Sequence, residues 1–211
     1  MITIIPTGLT FGALSPRRLT RRIIIHHSAS PDVSADTIHG WHLQQGWSGI
    51  GYHFVIRQDG SIEAGRPMDM IGAHAGPEVN GDSIGICLAG NFMEYVPTDQ
   101  QIQSLIQLVT YLRETYQAKL EVLQHKDVFS TECPGDLFPW SEINQALNSP
   151  SGHDNMGGNS MDPWKNELMT QAMDKKLITQ EHDPDETAPK WFVLAVALKI
   201  LQEVEIYGDK Q

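Results

Sequence analysis

The sequence predicts an α/β domain with a central mixed β-sheet flanked by helices, followed by a small C-terminal helical module. In residues 1–148, strand-like apolar runs alternate with amphipathic helical stretches, a pattern typical of layered α/β domains. Residues 149–160 are rich in Gly, Ser and Asn without apolar periodicity, which predicts a flexible linker. Residues 161–211 carry apolar side chains at helical spacing, so they form the helical module of this prediction.

Several segments before the linker have the pattern of strands: Arg22–His27, Tyr52–Arg57, Ser61–Ala64, Ser83–Ala89 and Glu121–Gln124. The first and fourth are continuous apolar runs, as expected for central strands that are buried on both faces. The second and third flank Gln58-Asp59-Gly60, and Asp-Gly between two such runs is a strong hairpin signal.

Two helices are expected to cover this sheet. The first is predicted from an N-cap at Ser34 to about Gln45, with Ile38 and Trp41 at helical spacing. The second begins with the capping box at Thr98–Gln101. Its apolar face then comprises five side chains at helical spacing: Ile102, Leu105, Ile106, Val109 and Leu112.

Composition excludes several classes of partner. The formal net charge of −11 argues against nucleic acid or anionic lipid, because counterion release needs clustered Lys and Arg. No apolar run reaches the roughly 18–20 residues that an integral membrane segment needs. Residues 1–22 lack the order of a secretory signal, so we expect synthesis in the cytoplasm. Cys87 and Cys133 do not make a disulfide framework, which leaves a thiolate for other chemistry.

The spacing of histidine and cysteine side chains indicates a metal site. His125 and Cys133 lie eight residues apart, so one loop can bring an imidazole and a thiolate to the same cation. The tandem His26-His27 offers a third ligand, and this mixed N/S set suits zinc. Side chains alternate across a strand, so only one of the pair faces the site, and the pattern does not choose between them. The alternative is that these histidines are ordinary surface or core residues and Cys133 is a small buried hydrophobe.

Four blocks of the chain occur in a specific order across residues 20–140: IIIHHSAS, GWSGIGYHFVIRQDGSIEAGR, IGAHAGPEVNGDSIGICLAGN and QHKDVFSTECPGD. Together they resemble the zinc-dependent N-acetylmuramoyl-L-alanine amidase domain shared by phage endolysins and peptidoglycan recognition proteins. The resemblance covers most of the predicted first domain. It implies a central mixed sheet flanked by helices, in agreement with the pattern of the residues.

The resemblance also implies a role for particular positions. The zinc ligands of the family match His26, His125 and Cys133, and its catalytic tyrosine matches Tyr52. Thr131 stands where several phage enzymes have Lys and animal relatives have Thr, which makes it the candidate partner of the oxyanion.

Substrate contacts are expected around the same blocks. His74 and Asn80 lie in the loop that resembles the family's groove wall, and Trp47 is a further candidate for the groove lining. Trp41 is expected either there or in the core. His42 is expected at the surface.

The function implied is hydrolysis of the amide between N-acetylmuramic acid and L-alanine in bacterial peptidoglycan, by a phage or prophage endolysin that acts on the cell wall after its release. The alternatives are a peptidoglycan-binding protein without catalysis and a zinc hydrolase of another acylated substrate. Residues 161–211 are expected to bind the cell wall, or else to serve dimerisation or stability.

Overall fold

A six-stranded mixed sheet with the order β1-β4-β3-β5-β2-β6 forms the centre of the fold. The computed structural model describes residues 2–148, so the predicted linker and helical module lie outside the described residues. The strands are β1 (Ile4–Ile5), β2 (Arg22–His27), β3 (Phe54–Ile56), β4 (Ile62–Ala64), β5 (Ser83–Leu88) and β6 (Glu121–Gln124). The helices are α1 (Ala35–Gln44), α2 (Pro77–Asn80), α3 (Asp99–Tyr116) and α4 (Trp140–Asn148). For these residues, the predicted α/β class with a central mixed sheet flanked by helices is confirmed.

The strand predictions are confirmed by the pairing of the sheet. β2 lies between β5 and β6 and is parallel to both, and the side chains of β5 are buried along its whole length. β3 and β4 form the predicted antiparallel hairpin. Gly60 in its turn has φ +83°, a left-handed conformation that glycine adopts without a steric penalty.

The two predicted helices are present with the predicted caps. The Ser34 side chain accepts a hydrogen bond from the Thr37 amide at the start of α1. Thr98 and Gln101 form a complete capping box at the start of α3. The position of Trp41 differs from the expectation, since it is 38% exposed while α1 buries Ala35, Ile38 and His39. The buried side of α1 is therefore formed by Ala35, Ile38 and His39, and Trp41 lies outside it.

Four short elements were not predicted: β1, α2, α4 and a 3-10 turn at His125–Asp127. Each contains nine residues or fewer, which is too short for a clear periodic pattern. The turn at His125–Asp127 lies directly after β6 and begins the loop that leads to Cys133.

The side chains on the two faces of β2 pack into different hydrophobic clusters. Ile23 and Ile25 pack into the large cluster that includes the buried side chains of α3 and α4. Ile24 packs on the opposite face, where it contacts the cluster containing Val79 of α2. Because successive side chains point to opposite faces, His27 follows Ile23 and Ile25, and His26 follows Ile24.

Within residues 2–148, no helix is both long enough and apolar enough to span a bilayer.

A buried amide connects α3 to the sheet. Gln101 is fully buried, and its Nε2 donates to the carbonyls of Ile56 (3.2 Å) and Ala89 (2.9 Å). Its Oε1 accepts the Thr98 amide of the capping box at 3.2 Å. One side chain therefore joins the start of α3 to the ends of two parallel strands.

We expect Gln101→Ala to lower the free energy of unfolding by about 2–3 kcal/mol, because it removes three hydrogen bonds from a buried site. Chemical denaturation measures this change. Gln103→Ala is the matched control, since Gln103 is exposed on the same helix and its loss should change stability by less than about 0.5 kcal/mol. Equal effects of the two substitutions would contradict the role assigned to Gln101.

Candidate active site

The side chains of His26, His125 and Cys133 converge at one end of the sheet. Their ligand atoms all lie within 4.8 Å of one another. The pairing of β2 and β6 explains this, because Ile25 lies opposite Gln124 in parallel register. A histidine follows each of these two residues, His26 within β2 and His125 directly after β6, so both imidazoles lie at the same end of the sheet.

Cys133 reaches the cluster through the loop that follows β6. The Lys126 amide donates to the Cys133 carbonyl at 2.9 Å and closes this loop. The Cys133 Sγ accepts the backbone N–H of His27 at 3.4 Å, and the Cys133 amide donates to Thr131 Oγ1 at 3.3 Å. Backbone contacts thus hold the thiol beside the two imidazoles.

The donor set fits a zinc ion. His26 Nδ1 and Cys133 Sγ are 3.8 Å apart. A tetrahedral zinc with ordinary bond lengths separates a ligand nitrogen and sulfur by roughly 3.6 Å. Burial keeps the pKa of His26 well below 6.5 and also lowers the pKa of His125, so both imidazoles are in the neutral form that binds metals. Burial raises the pKa of Cys133 to about 11, so binding a metal there would release the thiol proton.

His27 belongs to the other face of the sheet. Its Nδ1 accepts the Phe92 amide at 3.1 Å, and its ring lies 5.8 Å from the Phe92 ring. The alternation along β2 therefore sends His26 to the cluster and His27 into the core, which resolves the choice that the sequence pattern left open.

Tyr52 borders the cluster. Its ring centroid is 5.0 Å from that of His26. Burial, with smaller contributions from Cys87 and Cys133, raises the pKa of Tyr52 well above 10. The hydroxyl therefore stays protonated at neutral pH and remains a hydrogen-bond donor.

Thr131 lies in the loop between His125 and Cys133. Its hydroxyl accepts the Cys133 amide and so supports the loop that carries the thiol. It is not one of the residues that line the adjacent groove.

A groove of about 300 Å³ opens beside the cluster. Its lining includes the three predicted substrate contacts, Trp47, His74 and Asn80, together with Tyr52 and His125. The remaining lining residues are His42, Ala73, Gly76 and Phe129. Within residues 2–148, the lining includes no Asp or Glu, so these walls are aromatic, imidazole and amide in character.

Two groove residues were not predicted. His42 was expected at the surface, but its ring lies 4.5 Å from that of Trp47 at an interplanar angle of 33°, and its Nδ1 accepts the Gly51 amide at 3.0 Å. Burial, then Arg66 and His39, lower the pKa of His42 to about 4, so the ring is neutral. Phe129 is 55% exposed and stacks on His125 at 5.5 Å. In the sequence, the signal for Phe129 was an aromatic residue within the polar loop between the candidate ligands His125 and Cys133.

An α/β sheet with a His/His/Cys cluster at the end of a parallel strand pair, open to a groove, is compatible with a metal-dependent hydrolase. The family model described as N-acetylmuramoyl-L-alanine amidase matches residues 16–136. The chain belongs to this family.

Similar proteins agree with this assignment. The endolysin of Klebsiella phage KP32 is 38% identical over 145 residues, which cover 64% of this chain and 95% of the relative. Peptidoglycan recognition protein 1 of Mus musculus is 36% identical over 131 residues, covering 55% of this chain and 70% of that protein. Among solved structures, the N-acetylmuramoyl-L-alanine amidase LysC from Clostridium intestinale URNW has a TM-score of 0.67 and 43% identity, covering 70% of this chain and 99% of that one.

The assignment of faces along β2 predicts different effects of two neighbouring substitutions on metal content. The purified protein should carry about one zinc per chain. His26→Ala should lose most of it, because a ligand is removed. His27→Ala should keep it while losing about 1–3 kcal/mol of stability, since its contact with the Phe92 amide is lost.

Elemental analysis of the dialysed proteins, together with denaturation curves, measures both effects. Retention of zinc by the His26 variant and its loss from the His27 variant would show that the assignment is inverted.

Proposed function

We propose that this chain is a zinc-dependent N-acetylmuramoyl-L-alanine amidase that cleaves the bond between N-acetylmuramic acid and L-alanine in peptidoglycan. We further propose that it works as a phage or prophage endolysin, made in the cytoplasm and acting on the cell wall after release. The observation that carries the proposal is the convergence of His26, His125 and Cys133 beside an open groove. The family and the endolysin relatives support the same reaction.

His26, His125 and Cys133 would hold the zinc through two imidazole nitrogens and one sulfur. When bound, zinc supplies Lewis acidity that polarises the scissile carbonyl and lowers the pKa of water towards about 7. The residues of this chain then orient the substrate and stabilise the charge that develops on its carbonyl oxygen.

Tyr52 is suited to this stabilisation. Its raised pKa keeps the phenol protonated, so its O–H donates a hydrogen bond to the developing oxyanion or to the attacking water. Thr131 is the second proposed donor, and it also accepts the Cys133 amide. Its hydroxyl proton remains available while the oxygen accepts that bond.

The groove walls suit a glycopeptide substrate. Trp47 and Phe129 expose aromatic surface on which sugar rings or apolar parts of the stem peptide can pack. Asn80 is the proposed polar contact, and His74 lines the groove with both ring nitrogens facing protein partners. The neutral ring of His42 accepts the Gly51 amide on Nδ1, so its proton lies on Nε2 as a further donor.

The products of digestion should identify the bond that is cleaved. Incubation with purified peptidoglycan should release peptides with a new N-terminal alanine and no new reducing sugar ends, as measured by amine labelling, a reducing-sugar assay and mass spectrometry. A glycosidase uses a pair of carboxylates that flank its bond, and among the described residues the groove lining includes no carboxylate. New reducing ends would therefore contradict the proposal, and so would the absence of both products.

Tyr52→Phe should keep about one zinc per chain but lower the rate by about 10–1,000-fold, because only the donating hydroxyl is removed. Tyr111→Phe is the matched control, since Tyr111 packs against the core from α3 and is not part of the groove lining. Unchanged activity of the Tyr52 variant would assign Tyr52 to packing. Loss of zinc from it would assign it to the metal site instead.

A further inference from the structure

The ring of His74 lies in a slot between two glycines. A Cβ at Gly72 would lie 2.4 Å from His74 Cδ2, and one at Gly85 would lie 2.5 Å from His74 Cγ. Both distances are far below van der Waals contact, so the ring occupies space that only glycine leaves open. His74 is 9% exposed, which is more buried than a residue that serves only as a groove wall needs to be.

The backbone of His74 is held as firmly as its ring. The Oδ1 of Asn80 accepts the amides of His74 (3.0 Å) and Ala75 (2.9 Å). These two bonds attach the His74 segment to the end of α2. The direction in which the imidazole points is therefore determined by both its backbone and its side-chain surroundings.

Each nitrogen of the His74 ring faces a defined partner. Its Nδ1 is 3.1 Å from His26 Nε2, the nitrogen opposite the one that faces Cys133. Its Nε2 is 3.5 Å from Ser83 Oγ, and that hydroxyl donates to the Val79 carbonyl at 2.7 Å. The four groups form a buried chain that ends at a backbone carbonyl.

The Val79 carbonyl determines the donor-to-acceptor direction of the hydrogen bonds along these four groups. A carbonyl only accepts, so the Ser83 proton points to Val79, and the Ser83 oxygen is left to accept from His74 Nε2–H. A neutral His74 with its proton on Nε2 has a bare Nδ1, which accepts from His26 Nε2–H. His26 then has a bare Nδ1 on the side of Cys133 and His125.

We propose that His74 is a positioning residue that sets the tautomer and ring orientation of His26 for zinc, and that Ser83 sets the direction of the chain. The inference rests on the zinc site of the proposed function and goes beyond the substrate contact expected of His74. A partner of this kind on a metal-ligating histidine typically changes metal affinity by about 10–100-fold.

The tautomer can be tested without activity. In ¹⁵N-labelled full-length protein freed of metal, long-range ¹H–¹⁵N correlation spectra should show His26 and His74 each protonated on Nε2 and bare on Nδ1. A His26 protonated on Nδ1, or an equal mixture of the two forms, would overturn the proposal. His74→Leu should shift the His26 population away from the Nε2–H form, because the acceptor is lost.

Zinc affinity provides the second test, by titration of the full-length apo-proteins against a chromogenic chelator. His74→Leu should weaken zinc binding by about 10–100-fold, and Ser83→Ala by up to about tenfold. His74→Asn should stay within about threefold of wild type, since Asn Oδ1 can accept where Nδ1 did. His39→Leu controls for the loss of a buried histidine, because His39 accepts the Ile50 amide away from the cluster and should lower the melting temperature but not the affinity for zinc.

The outcomes separate this inference from the proposed function. A wild-type chain that binds no zinc would refute the metal site itself. A wild-type chain that binds zinc no more tightly than its His74→Leu variant would refute only the role of His74. If His74→Leu does not fold, the wild-type tautomer and the zinc affinity of Ser83→Ala still decide the question. A His26 protonated on Nε2, together with weakened zinc binding in Ser83→Ala, supports the proposed series of hydrogen bonds.

Discussion

The register between β2 and β6 is the constraint on which the candidate site depends. Because Ile25 pairs with Gln124 in parallel strands, the next residues, His26 in β2 and His125 directly after β6, lie at the same end of the sheet. Because side chains alternate with a period of two, a slip of one residue would exchange His26 for His27 and place a core histidine at the cluster. The buried isoleucines of β2 prevent this, since each is committed to a cluster on its own face.

Two buried arginines keep the walls of the groove together. Arg66 donates to the carbonyls of Ile50 and Ile71, at 2.9 and 2.8 Å. Ile50 and Ile71 each lie two residues before a residue of the groove lining, Tyr52 and Ala73 respectively. One guanidinium therefore spans both walls. Arg17 contributes in the same way, with a donor to the carbonyl of Met70 at 2.9 Å. In both cases a charged side chain with several N–H donors pairs backbone acceptors of these loops.

Features that depend on residues close together along the chain could be predicted from the sequence, whereas features that depend on contacts between distant residues could not. Strands, helix caps and the Asp59-Gly60 hairpin are determined within a few residues, so they were predictable. The choice between His26 and His27 is decided by what packs on each face of β2, so the residues alone left it open and only the family resemblance indicated His26. The groove position of His42 depends on its contacts with Trp47 and the Gly51 amide, which helical periodicity does not contain. The contact of His74 with His26 joins residues 48 apart and has no local signal.

The number of donor residues in the His26, His125 and Cys133 cluster, and their exposure, distinguish a structural metal site from a catalytic one. Structural zinc sites are closed by four protein ligands, whereas catalytic sites use three and leave one position open. In the part of the chain that the structure describes, the cluster comprises three donors. The neighbouring imidazole of His74 is outside this set, since its Nδ1 faces Nε2 of His26, on the far side of that ring. His26 is fully buried and Cys133 nearly so, but His125 lines the groove, so the open side of the cluster faces the space where a substrate can lie. A site closed towards the core and open towards the groove has the geometry that hydrolysis requires.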